Sequence, residues 1–474
     1  MKITIHRGAQ QIGGTCTEIR SEKARIIIDI GAELPSSQKR KKHLLIQGVT
    51  KDETENSPKC DGIFITHYHG DHIGEVQNAL PGIPIYMGKA AKAAYCALQE
   101  RLAVIPGKET LKMFLERFKD DKNELLETGR FISIKDKDGN LTGMKVMPIL
   151  TDHSAFDAYM FLIEYENKRI LHTGDFRTHG LKGKEVFDLL EKHAKGIDVL
   201  IIEGTMLSRP TENITTEDEL HKKAEGFFEN NKRVFVLCSS MNIDTIAGFY
   251  NSARKHGMVF VVDEYQKDIL DIVTAHVKES EHLYAENQKI YDFSNCEVYK
   301  KESCFSCKDN EKYCIKCREK LKPNRNHNED LRKRMETNGF CMLVRANNHS
   351  ENHSKKRSIS EKMIEYFQGH QLIYSIWDGY LKVGMPWFNQ NYSDFLEFSR
   401  KNGGTIRGID EGDKGWHTSG HATAETIKNV IRITSPGVII PIHGEDSHNY
   451  DKLGVPKGLI VHMRDGQTYD IETG

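Results

Sequence analysis

The segment Thr66-His67-Tyr68-His69-Gly70-Asp71-His72 constrains this chain most, because three imidazoles and one carboxylate crowd into six positions directly after the apolar run Ile63-Phe64-Ile65. A short apolar run bounded by polar residues reads as a buried strand. A strand interior is committed to packing, whereas its end emerges into a loop free to carry polar groups. Imidazole and carboxylate suit zinc and similar divalent ions, and a neutral His binds after only mild deprotonation. His67 and His69, two residues apart, can converge on one ion while Asp71 and His72 turn toward a second. The competing reading is a polar turn with scattered His.

The same pattern recurs along the chain. Arg169-Ile170-Leu171 precedes Asp175, Val199 to Ile202 precedes Glu203, and Val438 to Ile442 runs into His443 after the turn Ser435-Pro436-Gly437. Three of these four strand ends precede residue 205 and one lies near residue 440, so the two ends of the chain are expected to meet in one lobe around an inserted one. Within the middle, Arg233 to Cys238 reads as a strand. It is followed by a helix with Ile243, Ile246, Tyr250 and Ala253 on one face, then by a strand over Val259 to Val262. That is a βαβ unit, so the insert is an α/β lobe of its own. The expected division is 1–206 and 405–474 for the first lobe and 207–404 for the insert, with a cysteine-bearing insertion at about 296–320.

No run approaches the ~18 apolar residues of a membrane span, and the start of the chain shows no cleavable leader pattern, so a soluble, cytoplasmic protein is expected. The formal net charge is -1, which excludes a strongly basic coat, so a polyanion would have to be held by local features and bound cations.

His-x-His-x-Asp-His after a strand resembles the signature of metallo-β-lactamase-fold hydrolases, and the other motifs follow in order. Asp29, after Ile26-Ile27-Ile28, is similar to the first motif, His153 in Thr-Asp-His-Ser to the third, and Asp175 in His-Thr-Gly-Asp-Phe-Arg to the bridging carboxylate. Glu203-Gly204-Thr205, Ser419-Gly420-His421-Ala422 and Pro441-Ile442-His443-Gly444-Glu445 resemble motifs A, B and C of the β-CASP nucleases, the ribonuclease J and cleavage-and-polyadenylation relatives. Cys238-Ser239-Ser240-Met241-Asn242-Ile243-Asp244 resembles a Ser-Asn-Ile-Asp-Arg stretch of that family.

The resemblance implies an αββα sandwich with an inserted β-CASP α/β domain, and a metal-dependent nuclease that hydrolyses phosphodiesters with a two-zinc-activated hydroxide. It gives one zinc His67, His69 and His153 and the other Asp71, His72 and His443, with Asp175 bridging; manganese is open as the native metal of one site. Catalytic roles fall to Asp71, Glu203 and His421, with His421 the proton donor and Glu203 orienting it, and substrate contacts to Ser239, Ser240, Ser419 and Gly420. His at position 443, where DNA-acting members tend to carry Val, tips the substrate toward RNA. Endonuclease and 5' exonuclease modes stay open. The alternatives are a DNA nuclease, a small-ester hydrolase, and a non-catalytic RNA-binding scaffold, which usually loses ligands. A homodimer is open too. With about thirty residues after Glu445, the C-terminal domain typical of ribonuclease J is not expected in this sequence, and the family's assembly is not carried over by the resemblance.

Ten Cys in so long a chain do not make a disulfide scaffold. Cys304-x-x-Cys307 and Cys314-x-x-Cys317 lie six residues apart, and four thiolates so spaced suit a structural zinc outside the family pattern. Lys39-Arg40-Lys41-Lys42 and Lys355-Lys356-Arg357 read as solvated runs that could also guide nucleic acid.

Overall fold

The computed structural model describes residues 1–34, 43–51, 59–103, 108–120, 126–209, 214–280, 288–301, 315–346, 357–385 and 387–471. The chain divides into two compact units, Met1–Asn213 with Ser419–Gly474, and Ile214–Thr418.

Among the described residues the first unit holds two six-stranded sheets. One contains β1 (Lys2–Arg7), β2 (Cys16–Arg20), β3 (Arg25–Ile28), β4 (Gly62–Phe64), β5 (Ile85–Tyr86) and β18 (Gln467–Asp470), in the order β18-β1-β2-β3-β4-β5. The other contains β6 (Ile132–Lys135), β7 (Leu141–Thr151), β8 (Ala158–Tyr165), β9 (Lys168–His172), β10 (Val199–Glu203) and β17 (Val438–Ile442), in the order β17-β10-β9-β8-β7-β6.

Parallel pairing makes β9, β10 and β17 neighbours, with Val199 opposite both Ile170 and Val438, so residues more than two hundred positions apart share one register. Strands of that kind are buried on both faces and read as unbroken apolar runs, which is why Leu200, Ile201, Ile202, Ile439 and Ile440 are all buried. Pro441 has no N–H to give, and β17 tolerates it because it is an edge strand.

The two sheets stack through one core. Ile3, Ile5, Ile26, Ile28 and Phe64 of the first meet Phe161, Ile163, Val199, Ile201 and Ile440 of the second. On its other face the second sheet packs Leu162, Leu171 and Ile202 against Val186 and Leu190 of the helix Gly183–His193 and Ile427, Val430 and Ile431 of the helix Ala424–Thr434. The latter helix starts where Thr423 accepts the Thr426 N–H and stops at Ser435, which takes a left-handed conformation before Pro436-Gly437.

Among the described residues the second unit contains a six-stranded parallel sheet: β11 (Arg233–Cys238), β12 (Val259–Val262), β13 (Glu297–Val298), β14 (Phe340–Val344), β15 (Gln371–Ser375) and β16 (Thr405–Arg407), ordered β13-β12-β14-β11-β15-β16. The strand, helix and strand read from residues 233–262 are present. β11 and β12 are not neighbours, however, because β14 lies between them.

Two expectations need correction. Residues 405–418 were placed with the first lobe, but β16 pairs with β15, Gln371 opposite Thr405, and Trp416 packs on Phe227 with ring centroids 5.2 Å apart. The buried carboxylate of Glu217 also accepts the Thr418 hydroxyl, so the segment belongs to the Ile214–Thr418 unit. The other concerns the start of the cysteine-bearing insertion. Cys296 is buried and Glu297–Val298 is the edge strand beside Val261–Val262, so residues 296–298 are part of the sheet. Cys304, Cys307 and Cys314 lie outside the described residues, as do residues 39–42 and 355–356, and Cys317 lies in the helix Ile315–Asn338. Among the described residues no helix is long and apolar enough to cross a membrane.

Candidate metal centre

The expected ligands of the first unit meet where its strands end. His67, His69 and His153 offer donor atoms within 4.8 Å of one another, and so do Asp71, His72 and His443, and His67, His72 and Asp175. A tetrahedral ion bound at 2.0–2.1 Å sets its ligand atoms about 3.3 Å apart. His69 Nδ1 and His153 Nε2 are 3.2 Å apart, His72 Nε2 and Asp175 Oδ2 3.2 Å, and His443 Nε2 and Asp71 Oδ2 3.3 Å. Buried polar atoms are normally hydrogen-bonded. Here His67 Nε2, His72 Nε2 and Asp175 Oδ1 are buried without a hydrogen bond, the contact of His72 Nε2 with Asp175 being close but badly directed. Unsatisfied donor atoms facing one another across tetrahedral spacings fit divalent metal.

The opposite nitrogen of four of these rings is fixed. His72 Nδ1 lies 2.7 Å from Asp29 Oδ2, and His153 Nδ1 2.5 Å from the Gly420 carbonyl oxygen. Both must donate there, which leaves Nε2 with its lone pair toward the centre. The Thr66 hydroxyl gives its one proton to Asp29 and therefore accepts from His67 Nδ1 at 3.0 Å. The Thr205 hydroxyl donates to the His443 carbonyl and accepts from His443 Nδ1 at 2.8 Å. Asp29 itself accepts the Thr66 N–H and hydroxyl, both at 2.8 Å.

Asp29 and His443 follow directly on β3 and β17 with φ of 60° and 50°, a region that costs a residue with a Cβ about 1–3 kcal/mol. Hydrogen bonds from both sides hold them there. Gly31 is required for another reason. A Cβ at this position would lie 1.7 Å from the Asp71 carbonyl oxygen, which accepts the Thr15 N–H, so the Asp71 turn packs directly on backbone. Gly174 combines a φ of 54° with no room for a Cβ beside Thr66.

Electrostatics prepare the rings differently. Burial, with neighbouring imidazoles adding to it, holds His67 and His153 well below the usual His range and brings His69 to about 4, so these three are neutral near pH 7. His72 goes the other way: burial is outweighed by Asp175 and Asp29, which raise it well above the usual range. Without an ion it is protonated, and binding metal displaces that proton. Partial burial pushes the Asp71 carboxyl up, yet the hydrogen bond and charge of His443 and the charge of His72 keep it below the usual range.

Glu203 stands within ligand spacing of Asp175, His421 and His443. Its oxygens are already occupied: Oε1 accepts the Ala422 N–H at 3.1 Å and the Phe176 N–H at 3.3 Å, and Oε2 the Thr205 N–H at 3.1 Å. Both oxygens also lie 3.3 Å from His421 Nδ1, so Glu203 orients a ring rather than offering itself to an ion. His421 is raised above the usual His range, because Glu203 and Asp175 outweigh the opposing effect of burial.

Of the remaining expected site residues, Ser419 accepts the His421 N–H at 3.2 Å, and Ser239 and Ser240 follow β11 in the other unit, with Ser240 accepting from Gln266. Thr66 and Thr205 were not anticipated, nor was the buried pair Asp152 and Arg177. Arg177 Nε donates to Asp152 Oδ1 at 3.2 Å, its N–H donates to the Asp152 carbonyl at 2.7 Å, and Nη1 donates to the Ser419 carbonyl. Their positions beside His153 and two after Asp175 are the only signal the sequence offers.

Residues 10–200 match the family model described as Metallo-beta-lactamase superfamily, and 415–452 that of the Zn-dependent metallo-hydrolase RNA specificity domain. Residues 10–200 thus form a metallo-beta-lactamase domain. Ribonuclease J of Helicobacter pylori is 24% identical over 496 residues, covering 99% of this chain and 61% of that protein. Ribonuclease J of Synechocystis is 22% identical over 99% of this chain and 66% of its own length. The chain thus spans about three-fifths of the length of the Helicobacter relatives. An RNase J-like protein of Methanocaldococcus jannaschii is 25% identical over 49% of this chain and 50% of that one. The crystal structure of a protein of unknown function from Enterococcus faecalis shares the fold, with a TM-score of 0.67 at 19% identity over 99% of both chains.

Asp29 lies against the Nδ1 side of the His72 ring, away from Nε2, so it is placed to orient His72. Asp29→Ala is expected to weaken metal binding roughly 10–100-fold, with Asp29→Asn recovering part of it. Competition with a chromophoric chelator measures this, and an unchanged affinity in Asp29→Ala would contradict the orienting role.

Proposed function

We propose that the chain is a metal-dependent ribonuclease of the β-CASP type. The observation that carries this is the convergence of seven His and Asp donors, with buried unsatisfied atoms at their centre and outer nitrogens fixed by hydrogen bonds. His67, His69 and His153 would hold one ion and Asp71, His72 and His443 a second, with Asp175 shared. Two bound divalent ions supply a Lewis acid at the scissile phosphate and bring the pKa of the attacking water toward ~7.

The protein's own groups do the rest. Asp71 and Asp175 bring negative charge that keeps two cations together in a near-neutral chain. His421, its Nδ1 held by Glu203, presents Nε2 as the acid that protonates the leaving oxygen. The Gly420 carbonyl fixes His153, so Ser419-Gly420-His421 serves both the ligand set and the proton donor.

Support for RNA comes from His443 in place of Val, from the ribonuclease J names of the relatives, and from the description of the model matched at 415–452. In this reading the Ile214–Thr418 unit is the β-CASP lobe, and Ser239 and Ser240 at the carboxyl end of β11 contact the polymer, as the ends of parallel strands generally do. Cys304, Cys307, Cys314 and Cys317 would hold a structural zinc.

End-labelled single-stranded RNA and DNA of one sequence, with 5' hydroxyl or phosphate, test the proposal with zinc or manganese. Wild type is expected to cut RNA and the Asp71→Ala/His72→Ala protein to cut nothing, and the product ladder reports endo or exo attack. Cleavage of neither polymer with either metal would move the reading to a small-ester hydrolase or a scaffold. His421→Ala is expected to lower kcat roughly 10²–10⁴-fold with metal content unchanged. Loss of metal from that variant would assign His421 to the ligand set instead.

A further inference from the structure

A second cluster of ligand-type side chains stands apart from the residues assigned above. His448 and Asp451 lie on the turn Ser447–Leu453, which begins where Asp446 accepts the His448 N–H at 2.9 Å. That turn is a 3₁₀-helix, in which residues three apart eclipse, so the two side chains share one face. His462 arrives from the following segment, which is tied to β17 by the Val461 N–H to the Ile439 carbonyl at 2.8 Å and by the Ile439–Ile460 bridge.

The three residues offer donor atoms within 4.8 Å of one another. Asp451 turns one oxygen to each ring: Oδ2 is 3.3 Å from His448 Nδ1 and Oδ1 3.4 Å from His462 Nε2. The two rings lie 4.1 Å apart, inclined by 34°. The His448 contact also meets hydrogen-bond geometry, but both N···O spacings are longer than the 2.9–3.0 Å at which N–H···O bonds centre and match the roughly 3.3 Å edge of a tetrahedral site. His462 Nδ1 is 3.0 Å from Oγ of Ser447, a buried side chain, and donating there leaves the Nε2 lone pair directed at Asp451.

We infer that His448, Asp451 and His462 form an additional site for a divalent transition ion, two imidazoles and a carboxylate with the fourth position open to water. The donor set suits zinc or nickel. It does not suit calcium, which takes six to eight oxygens, or magnesium, which prefers oxygen ligands in octahedral array. His448 and Asp451 are partly or largely exposed, with side chains 63% and 30% accessible, so the ion would exchange with solvent. An ion here links the segment after β17 to the chain that returns beside it, five residues beyond His443.

The test counts bound nickel per chain by equilibrium dialysis for wild type, His448→Ala and His462→Gln, each as the full chain. The difference between proteins is the readout, so ions held elsewhere cancel. Each variant is expected to bind one ion fewer than wild type, while RNA cleavage in saturating zinc stays unchanged. Equal nickel counts in wild type and both variants would overturn the site. His448→Ala alters an exposed side chain and Gln keeps a hydrogen-bonding group at position 462, so both retain the fold, which circular dichroism verifies. The cleavage assay on the same samples reports separately on the ribonuclease reading.

Discussion

Asp175→Ala is expected to slow metal-dependent RNA cleavage roughly 10³-fold or more, about 4 kcal/mol of barrier. Asp175 Oδ2 lies 3.2 Å from His72 Nε2 and 3.5 Å from His421 Nδ1, and Oδ1 lies 3.5 Å from His443 Nδ1. The carboxylate therefore stands among two expected ligands and the expected proton donor. Burial alone would push its carboxyl up, but His443, His72 and His421 together hold it well below the usual range, so it stays ionised. Asp175→Asn keeps the volume and removes the charge, and is expected to lose most of the same rate. Single-turnover cleavage with metal analysis of the same samples checks this. Full metal content with full activity in Asp175→Ala would remove Asp175 from the centre.

The largest expected effect on stability is at Asp152. Asp152 and Arg177 are both fully buried, and Asp152 Oδ2 also accepts the Gly180 N–H at 2.8 Å. Removing one partner of a buried pair leaves the other charge without compensation, at about 3–5 kcal/mol. Asp152→Ala should therefore lower the free energy of unfolding of metal-free protein by about that amount in urea denaturation. Because an apolar replacement of the whole pair avoids the stranded charge, Asp152→Ala/Arg177→Met is expected to be more stable than Asp152→Ala alone. A loss below about 1 kcal/mol in the single variant would show that water reaches Arg177.

Among the expected ligands, His153 follows the long strand Leu141–Thr151 and was readable only from its place among the other motifs. The rest stand out in the sequence because His67 to His72, Asp175 and His443 follow short apolar strands, and strand ends are where a packed sheet can present polar groups. The meeting of the chain's two ends was readable for the same reason, since Val438 to Ile442 is as apolar as Val199 to Ile202 and carries His443 as its own strand end. Thr66, Thr205 and Asp152 left no such mark. A threonine beside a His is common, and its hydroxyl acquires a role only when Asp29 or the His443 carbonyl takes its proton. Residues 405–418 were assigned to the wrong unit because Thr405–Arg407 is too short to announce its partner, and pairing with Gln371–Ile373 is a long-range choice. Likewise, nothing local could place Phe340–Val344 between two strands that precede it by about eighty residues or more.

Hydrolysis of RNA in this reading depends on metal held in the His and Asp cluster. The most direct measurement strips the full chain with a chelator, adds zinc or manganese stepwise, and follows cleavage of end-labelled single-stranded RNA at each step. Stripped wild type should not cleave, activity should return as metal is added, and Asp175→Ala should stay roughly 10³-fold or more slower at every loading. Cleavage that persists in fully stripped protein, or an Asp175→Ala protein restored by metal to wild-type rates, would contradict this reading.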